Sequence, residues 1–295
     1  MLDIRKFKEV VSMKPIIKYR GGKYKEIPLF KDFLPNKFDT YIEPFFGGGA
    51  LYFYLEPKKA IINDFNARLV NFYKEIQSNF ETVSQQLSVL QKIYDRNQSD
   101  FQDLKKLYPD ELVINSNEDL YYKLRDMFNH KTQSVYLDAV IYFFINKTAY
   151  SGMIRYNSNG EYNVPFGRYK SFNTSLLTKD HSKLLESAKI FNKDYSATFD
   201  MAKTEDFVFL DPPYDCKFSD YGNIEHTSGF GEVEHQRLAA NFKNLSCKAL
   251  MVIGKTQLTS SLYHGYIKGS YFKSYSVNIR NRFKSQSQHL IVTNY

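Results

Sequence analysis

The segment with the clearest chemical capacity is Asp211-Pro212-Pro213-Tyr214. It follows the apolar run FVFL, which predicts a buried strand, and open α/β sheets bind ligands at the carboxyl ends of their strands. The Asp211 carboxylate and the Pro212 carbonyl are two acceptors, and the prolines hold the backbone so that neither has to reorganise. Two acceptors aimed at the hydrogens of an exocyclic amine would stabilise the positive charge that grows on its nitrogen during attack. These residue types therefore favour group transfer to the amine of a nucleobase.

Tyr214 adds a flat face on which an extruded base can stack, as chemistry on a base in a duplex requires. If a sulfonium carries the transferred group, it is a good leaving group. Positioning of the two reactants then matters more than acid–base catalysis. Taken alone, the four residues also fit a proline-stiffened turn in which Asp211 caps the backbone. Two motifs upstream favour the chemical interpretation.

The first of these motifs is a glycine turn after the first predicted strand, at Gly47, Gly48 and Gly49. Glycines let backbone N–H groups approach a ligand closely. Asp64 ends the second predicted strand, near the separation of about 20 residues at which an acid holds ribose hydroxyls. The pattern G-x-G-x-x-G is incomplete, which disfavours a dinucleotide and favours an adenosyl cofactor without pyrophosphate. A simple tight turn and a helix-capping Asp64 remain the alternatives.

The second motif is KYRGGK at 18–23, in which three cations surround two glycines. Such a loop can cradle a carboxylate or a phosphate, although a solvated loop has the same composition.

The pattern of elements predicts one α/β domain interrupted by an insertion. A strand, a glycine turn, a helix and a second strand open the chain, and apolar strands return near 189–191, 207–210 and 249–253. Between them the sequence is polar and helical in pattern, then alternates over 150–169 around Asn159-Gly160, which predicts a hairpin. We assign 1–75 and 176–295 to the catalytic domain and 76–175 to the inserted domain. Two further strands are predicted at 275–279 and 289–293.

The overall charge favours a polyanionic partner, since the net charge is +8 and the pI is about 9.1. Two cysteines, no signal-peptide pattern and no long apolar run predict a cytoplasmic protein outside the membrane. The six histidines lack the spacing of a zinc site, so no metal is expected. His235 is predicted on a helix surface.

These motifs resemble those of the Dam-like DNA adenine N6-methyltransferases, from about Lys14 to Tyr295. KYRGGK is similar to the family's N-terminal cofactor motif, EPFFGGG at 43–49 to its glycine loop, and NDFN at 63–66 to its ribose-binding motif. NKDY at 192–195 resembles the segment beside the cofactor adenine, and DPPY at 211–214 the catalytic motif. The resemblance implies a Rossmann-like sheet that binds S-adenosyl-L-methionine and acts on double-stranded DNA. The implied cofactor contacts are Tyr19, Lys23, Glu43, Phe45, Gly47, Gly49, Asp64, Asp194, Tyr195 and Asp211.

The resemblance also makes the inserted domain a target-recognition domain, with its hairpin entering DNA and GATC or a related sequence as the site. The implied DNA contacts are Lys18, Tyr150, Ser151, Met153, Arg155 and Pro165. Arg155 suits bidentate contact with a guanine edge. Three positions depart from the family: Tyr19 replaces the usual tryptophan, Arg20 replaces a small residue, and Ser151 replaces an expected asparagine. The segment 219–230 resembles a loop that closes over the target base, and the basic cluster 280–284 fits either phosphate contact or a solvated loop.

Two other functions fit parts of the same pattern. A cytosine-N4 methyltransferase performs the same chemistry on another base, although a serine in place of Asp211 would favour it more. A DNA-binding protein that retains the fold without activity is the other, and the intact Asp64 and Asp211 disfavour it.

Overall fold

Seven strands form one sheet in the computed structural model, which describes residues 12–214, 230–274 and 286–295. The sheet order is β3-β2-β1-β4-β5-β7-β6; the first five strands are parallel, and β7 runs antiparallel to both of its neighbours. The strands are β1 (Tyr41–Glu43), β2 (Ala60–Asn63), β3 (Ala188–Phe191), β4 (Phe207–Leu210), β5 (Lys248–Gly254), β6 (Ile267–Ser274) and β7 (Gln286–Thr293). The predicted α/β class is confirmed.

Helices cover the sheet and build the insertion. They are α1 (Ile27–Phe30), α2 (Ala50–Leu55), α3 (Ala67–Leu107), α4 (Ser116–Phe128), α5 (Asp138–Thr148), α6 (Lys179–Glu186), α7 (Ser196–Phe199), α8 (Glu232–Lys243) and α9 (Gln257–Leu262). None of the helices in the described part of the chain combines the length and apolar character needed to cross a membrane.

The centre of the sheet explains the apolar runs in the sequence. Every residue of β1 and β4 is buried, as is most of β5, because helices cover both faces of a parallel sheet. From β1 the chain adds β2 and β3 on one side, and it then returns to add β4 and β5 on the other. Connections therefore leave the carboxyl ends of β1 and β4 in opposite directions, which opens a crevice at that edge.

The insertion begins inside a single long helix. α3 has 41 residues and bends at Asn79, whose backbone angles are not helical. It packs against α6 and β3 as well as against α4 and α5, and its first turns already contact α5 through Phe72 and Glu75, so α3 runs across the predicted boundary at 75/76. The division into two domains therefore stays a prediction.

The region 150–169 forms an irregular hairpin rather than two regular strands. Isolated bridges join Ala149 to Phe166 and Tyr156 to Tyr162. The reversal is made by the Asn157 side chain, which accepts from the backbone N–H groups of Asn159 and Glu161. Several backbone groups of the hairpin form hydrogen bonds with helix side chains instead of with the opposite arm. The two arms of the hairpin therefore do not form a continuous ladder. The Tyr121 hydroxyl, for example, donates to the Val164 carbonyl at 2.8 Å.

Some predicted features lie outside the described residues or differ from the sequence pattern. The strand predicted at 275–279 and the basic cluster 280–284 are outside them, as is the closing loop except for Phe230. The predicted strand 289–293 lies within β7. The sequence pattern does not predict β6, because the run IKGSYFKS alternates weakly and contains a glycine at a register shift.

The start of α3 gives a test of local stability. Asn66 is the N-cap residue, and its side-chain oxygen accepts from the Leu69 N–H at 3.1 Å. Asn66→Ala leaves this buried donor unpaired and is expected to lower the free energy of unfolding by about 1 kcal/mol, measured by urea denaturation. Ser78→Ala is the control, because its exposed hydroxyl bonds only within the helix. Equal losses in the two variants would contradict the assigned cap.

Candidate active site

A cavity lies at the carboxyl ends of β1, β2 and β4, at the crevice opened by the strand order. Its walls come from residues 19–23, 43–50, 63–65, 193–195, 209 and 211–213, with Phe230, Glu234 and Arg237 from the start of α8 and the residues before it. All ten residues predicted to contact a cofactor line this one cavity. Segments far apart in sequence therefore meet at one place, although their cofactor role stays a prediction.

The strongest polar contact in the cavity joins Lys23 to Asp211. The Lys23 ammonium lies 2.7 Å from Oδ1 and 2.9 Å from Oδ2 of Asp211, and it also donates to the Gly21 carbonyl at 2.9 Å. Lys23 is 2% exposed, whereas a fifth of the Asp211 side chain is accessible. Burial raises the pKa of Asp211, and the charge and hydrogen bond of Lys23 oppose that rise. The ion pair thus holds a carboxylate in place with one side open to the cavity.

The rest of the predicted catalytic motif surrounds this pair. Pro212 and Pro213 line the cavity beside Asp211. The Tyr214 ring lies outside the cavity walls, with the Lys23 ammonium 5.0 Å from its centroid. His289, on β7, packs edge-on against the same ring at 5.2 Å. The motif therefore presents an acceptor and an aromatic ring that are fixed by groups from two other elements.

The glycine turn connects β1 to Asp64 on the neighbouring strand. The Gly47 N–H donates to Asp64 Oδ2 at 2.8 Å, and the Asn66 N–H donates to Oδ1 at 2.9 Å. Burial raises the pKa of Asp64, and these backbone hydrogen bonds oppose the rise. Each oxygen keeps a lone pair for a further donor such as a hydroxyl. Tyr19 covers the turn so closely that a Cβ on Gly47 would lie 2.7 Å from its ring.

Glu43 is a third carboxyl group in the cavity wall, and it is buried. The Tyr41 hydroxyl donates to its Oε2 at 2.7 Å. Burial raises the pKa of Glu43 well above its usual value, and the charges of Asp211 and Asp64 raise it further. The charged form of Glu43 is therefore disfavoured, and a positively charged ligand in the cavity would oppose that effect.

The far end of the cavity is aromatic. The Phe45 ring lies 5.2 Å from that of Tyr195 and meets Phe230 edge-on at 5.8 Å. Asp194, at the rim, accepts from two nitrogens of Arg237 at 3.0 and 2.8 Å. Burial disfavours the charge of Asp194, but these bonds and those from Ser196 lower its pKa to about 2. Flat apolar walls with an ionised acceptor at the edge suit a heterocycle that carries an amine.

Sequence reasoning missed the contribution of α8 to this cavity. Glu234 and Arg237 lie in its walls, while His235 is fully buried and its ring packs against Phe230 at 4.9 Å. The placement of His235 on the helix surface is therefore wrong. The helical spacing of His235, Leu238 and Phe242, all buried, is the signal that would have identified the inward face.

The residues predicted to contact DNA lie outside the cavity, on the hairpin and the segment before it. Tyr150, Ser151, Arg155 and Pro165 are exposed, and Met153 is half-buried. The Tyr150 N–H donates to the Pro165 carbonyl at 2.9 Å, which places both on adjacent chains of the hairpin.

Lys18 joins this surface to the cavity. Its backbone N–H and carbonyl both bond to the Asn146 amide, at 2.9 and 2.7 Å, and its ammonium lies 4.3 Å from the Tyr169 ring centroid. The next residue along the chain is Tyr19, which covers the glycine turn. One short segment therefore contacts both the inserted region and the cavity.

No metal centre accompanies these groups within 12–214, 230–274 and 286–295, where no three His, Cys, Asp or Glu side chains are arranged to hold an ion.

Comparison with known proteins gives a consistent assignment. The family model described as D12 class N6 adenine-specific DNA methyltransferase matches residues 19–281. The chain is 35% identical over 290 residues to the Type II methyltransferase M.CviBI of Paramecium bursaria Chlorella virus NC1A, covering 96% of this chain and all of that protein. It is 32% identical to the Type II methyltransferase M.MjaIII of Methanocaldococcus jannaschii, with 90% of each covered. It is 31% identical to the Retron Ec67 DNA adenine methylase of Escherichia coli, covering 87% of this chain and 84% of that protein.

The geometry of the glycine turn can be tested at Gly49. This residue has φ of +63°, and a Cβ would lie 2.5 Å from the Phe46 ring, which is itself wedged against Tyr73 at 4.8 Å. Gly49→Ala is expected to lower the free energy of unfolding by about 2 kcal/mol, from backbone strain and overpacking together. Chemical denaturation measures the loss. Gly231→Ala is the control, because no heavy atom lies within 4 Å of its Cβ position. A Gly49→Ala variant as stable as the control would refute the tight packing of this turn.

Proposed function

The chain belongs to the D12 class of N6 adenine-specific DNA methyltransferases, and we propose that it methylates adenine N6 at GATC or a related site in duplex DNA, using S-adenosyl-L-methionine. The observation that carries this proposal is the Asp211 carboxylate, which a buried lysine holds at the edge of a cavity shared with the glycine turn and Asp64. A target amine and a methyl donor can meet there.

The residues of the cavity fit S-adenosyl-L-methionine in each of its parts. Asp64 retains acceptor capacity for ribose hydroxyls, and the aromatic end with Asp194 suits an adenine and its amine. Asp211 and Asp64 favour the positive charges of the sulfonium and ammonium groups, and those charges would oppose the rise in the pKa of Glu43. The Gly21-Gly22 loop beside Lys23 provides backbone donors for a carboxylate. When bound, the cofactor supplies a methyl group on a good leaving group.

The residues of this chain then have one main task, which is to orient the adenine amine. The Asp211 carboxylate and the Pro212 carbonyl accept its two hydrogens, which directs the nitrogen lone pair toward the electrophile. The same acceptors stabilise the positive charge that develops on nitrogen. Lys23 keeps Asp211 ionised and fixed before the substrate arrives, so little reorganisation is needed. Tyr214 provides the ring on which the extruded adenine stacks.

Sequence recognition is assigned to the inserted region, residues 76–175. Arg155 is exposed at the hairpin; its Nε donates to Asn163 Oδ1 at 2.9 Å and its Nη2 to the Asn163 carbonyl at 3.4 Å, which leaves the other guanidinium N–H groups for a further acceptor. A guanine edge accepts from two such donors. Tyr150, 46% exposed, is the aromatic ring placed to enter the base stack. The net charge of +8 supports contact with phosphates around the site.

The direct test uses tritiated S-adenosyl-L-methionine with duplex DNA that contains GATC, followed by digestion to nucleosides. We expect the label in N6-methyladenine, and we expect a matched duplex with GTAC to accept much less. Label in N4-methylcytosine would overturn the assigned base, and equal labelling of both duplexes would overturn the assigned site. DNA binding without transfer would favour a protein that retains the fold alone.

The pH dependence of the reaction reports on Asp211. Because the amine needs an ionised acceptor and burial raises the pKa of Asp211, transfer is present above this raised pKa and is lost as pH falls through it. The acid limb of the kcat/KM profile, which reports the free enzyme, is therefore expected above pH 3.8, the ordinary aspartate value. Lys23→Met removes the charge that opposes the rise and is expected to shift the limb to higher pH. Lys59→Met, which breaks only an exposed ion pair with Asp39, is the control. A limb that stays in place in Lys23→Met would contradict this electrostatic account.

The assignment of the hairpin is tested at Arg155. Arg155→Ala is expected to lose about 1–3 kcal/mol of discrimination at one base pair, while binding to DNA of unrelated sequence changes little. Methylation rates on duplexes substituted at each position of the site measure this discrimination. Arg96→Ala is the control, because it also removes an exposed arginine, from the surface of α3. If both variants keep the discrimination of the parent enzyme, Arg155 does not read the site.

A further inference from the structure

A second cluster of charged side chains lies behind the catalytic motif, centred on Glu26. This carboxylate is buried and accepts from three side chains of the antiparallel edge of the sheet. Its Oε2 accepts from the Tyr271 hydroxyl at 2.7 Å and from His289 Nδ1 at 2.9 Å, and its Oε1 accepts from the Lys273 ammonium at 2.5 Å. Burial disfavours its charge, but these bonds and the charge of Lys23 lower the pKa of Glu26 to about 2. Glu26 is therefore ionised at neutral pH.

Glu26 lies one turn after Lys23, and the two residues are directly connected. The Glu26 N–H donates to the Lys23 carbonyl at 2.7 Å. Side chains three positions apart in such a turn are within reach of each other. Lys23 therefore has two carboxylates nearby, Asp211 and Glu26. Among the described residues, its ion pair is with Asp211, and none forms with Glu26.

The hydrogen bonds that Glu26 accepts explain why Lys23 pairs with Asp211 instead. Tyr271 and His289 face each other across β6 and β7, so the register of the two strands sets both donors on one oxygen. Lys273, two positions after Tyr271 and on the same side of β6, takes the other oxygen. Both oxygens of Glu26 thus accept from side chains of β6 and β7, and Lys23 acts on Glu26 through its charge without pairing with it among the described residues.

We propose that Tyr271, His289 and Lys273 are positioning residues for the reaction, because by holding Glu26 they leave Lys23 to pair with Asp211. This inference rests on the proposed function, since the ion pair matters for transfer only if Asp211 orients the target amine. The imidazole of His289 also packs against the Tyr214 ring, so the same side chain contacts both the carboxylate and the stacking ring. Without its donors, Glu26 competes with Asp211 for the Lys23 ammonium.

The proposal predicts that one substitution restores the rate that another substitution lowers. His289→Phe keeps a ring beside Tyr214 but removes the Nδ1 donor, and we expect kcat to fall by about tenfold with the cofactor dissociation constant within about twofold. Glu26→Gln removes the competing charge and is expected to stay within about threefold of the parent enzyme. In the double variant, Glu26→Gln is expected to restore most of the rate lost in His289→Phe. Losses that multiply in the double variant would overturn the proposal, because multiplication means that the two side chains affect the rate independently of each other.

Tyr271→Phe repeats the test with a smaller change in case His289→Phe fails to fold, since it removes only one hydroxyl. The matched control is Tyr52→Phe, which removes the hydroxyl of another buried tyrosine, one that donates to the Leu184 carbonyl at 2.6 Å. The control is expected to keep the parent kcat. A control that loses as much rate as Tyr271→Phe would overturn the proposal.

A crystal structure of His289→Phe, or of Tyr271→Phe, separates this proposal from the proposed function. We expect the Lys23 ammonium to move from Asp211 toward Glu26, and this result needs no methyl transfer. An unmoved Lys23–Asp211 pair would overturn the inference even if the enzyme is active. An enzyme that transfers no methyl group to adenine, but whose Lys23 moves as described, would instead refute the proposed function alone.

Discussion

The ion pair between Lys23 and Asp211 is the interaction on which the rest of the site depends. A carboxylate that accepts hydrogen bonds from an incoming amine must stay ionised in a largely dehydrated site. Burial alone opposes ionisation. The partner comes from a loop 188 positions earlier in the chain, so the pair forms only when the segment before α1 and the carboxyl end of β4 are both in place. The strand order provides this arrangement, because the carboxyl ends of β1 and β4 adjoin where the direction of winding reverses.

Around this pair the fold buries further carboxyl groups, which would be unfavourable without hydrogen-bond donors. Asp64 is held by backbone N–H groups, Glu43 by a tyrosine hydroxyl, and Glu26 by three donors from β6 and β7. Removing one partner of such a buried group commonly destabilises a protein by several kcal/mol, so each carboxyl group has its own support. A positively charged ligand in the cavity offsets part of the remaining repulsion.

The part of the site that was predictable from the sequence is the part encoded by local motifs. The glycine turn, Asp64 and the motif at 211–214 each follow an apolar strand, and parallel strands bring their ends together at one edge. Contacts across long separations carry no such local signal. Glu26 and His289 are 263 positions apart, and neither lies in a recognisable motif. Likewise, β6 and the inward face of α8 are specified by what packs on them, so weak alternation and a polar helix concealed their roles.

The most direct test of the central claim is the rate of methyl transfer by Asp211→Asn, compared with the parent enzyme at saturating cofactor and DNA. Asparagine keeps the shape of the side chain and one acceptor oxygen but loses the charge that stabilises the growing cation. The account predicts a fall in kcat of about 100-fold or more with DNA binding little reduced, alongside a lower free energy of unfolding because the buried Lys23 loses its anionic partner. A variant that transfers methyl groups to adenine within a few-fold of the parent rate would contradict the role of Asp211 as the charged acceptor for the target amine.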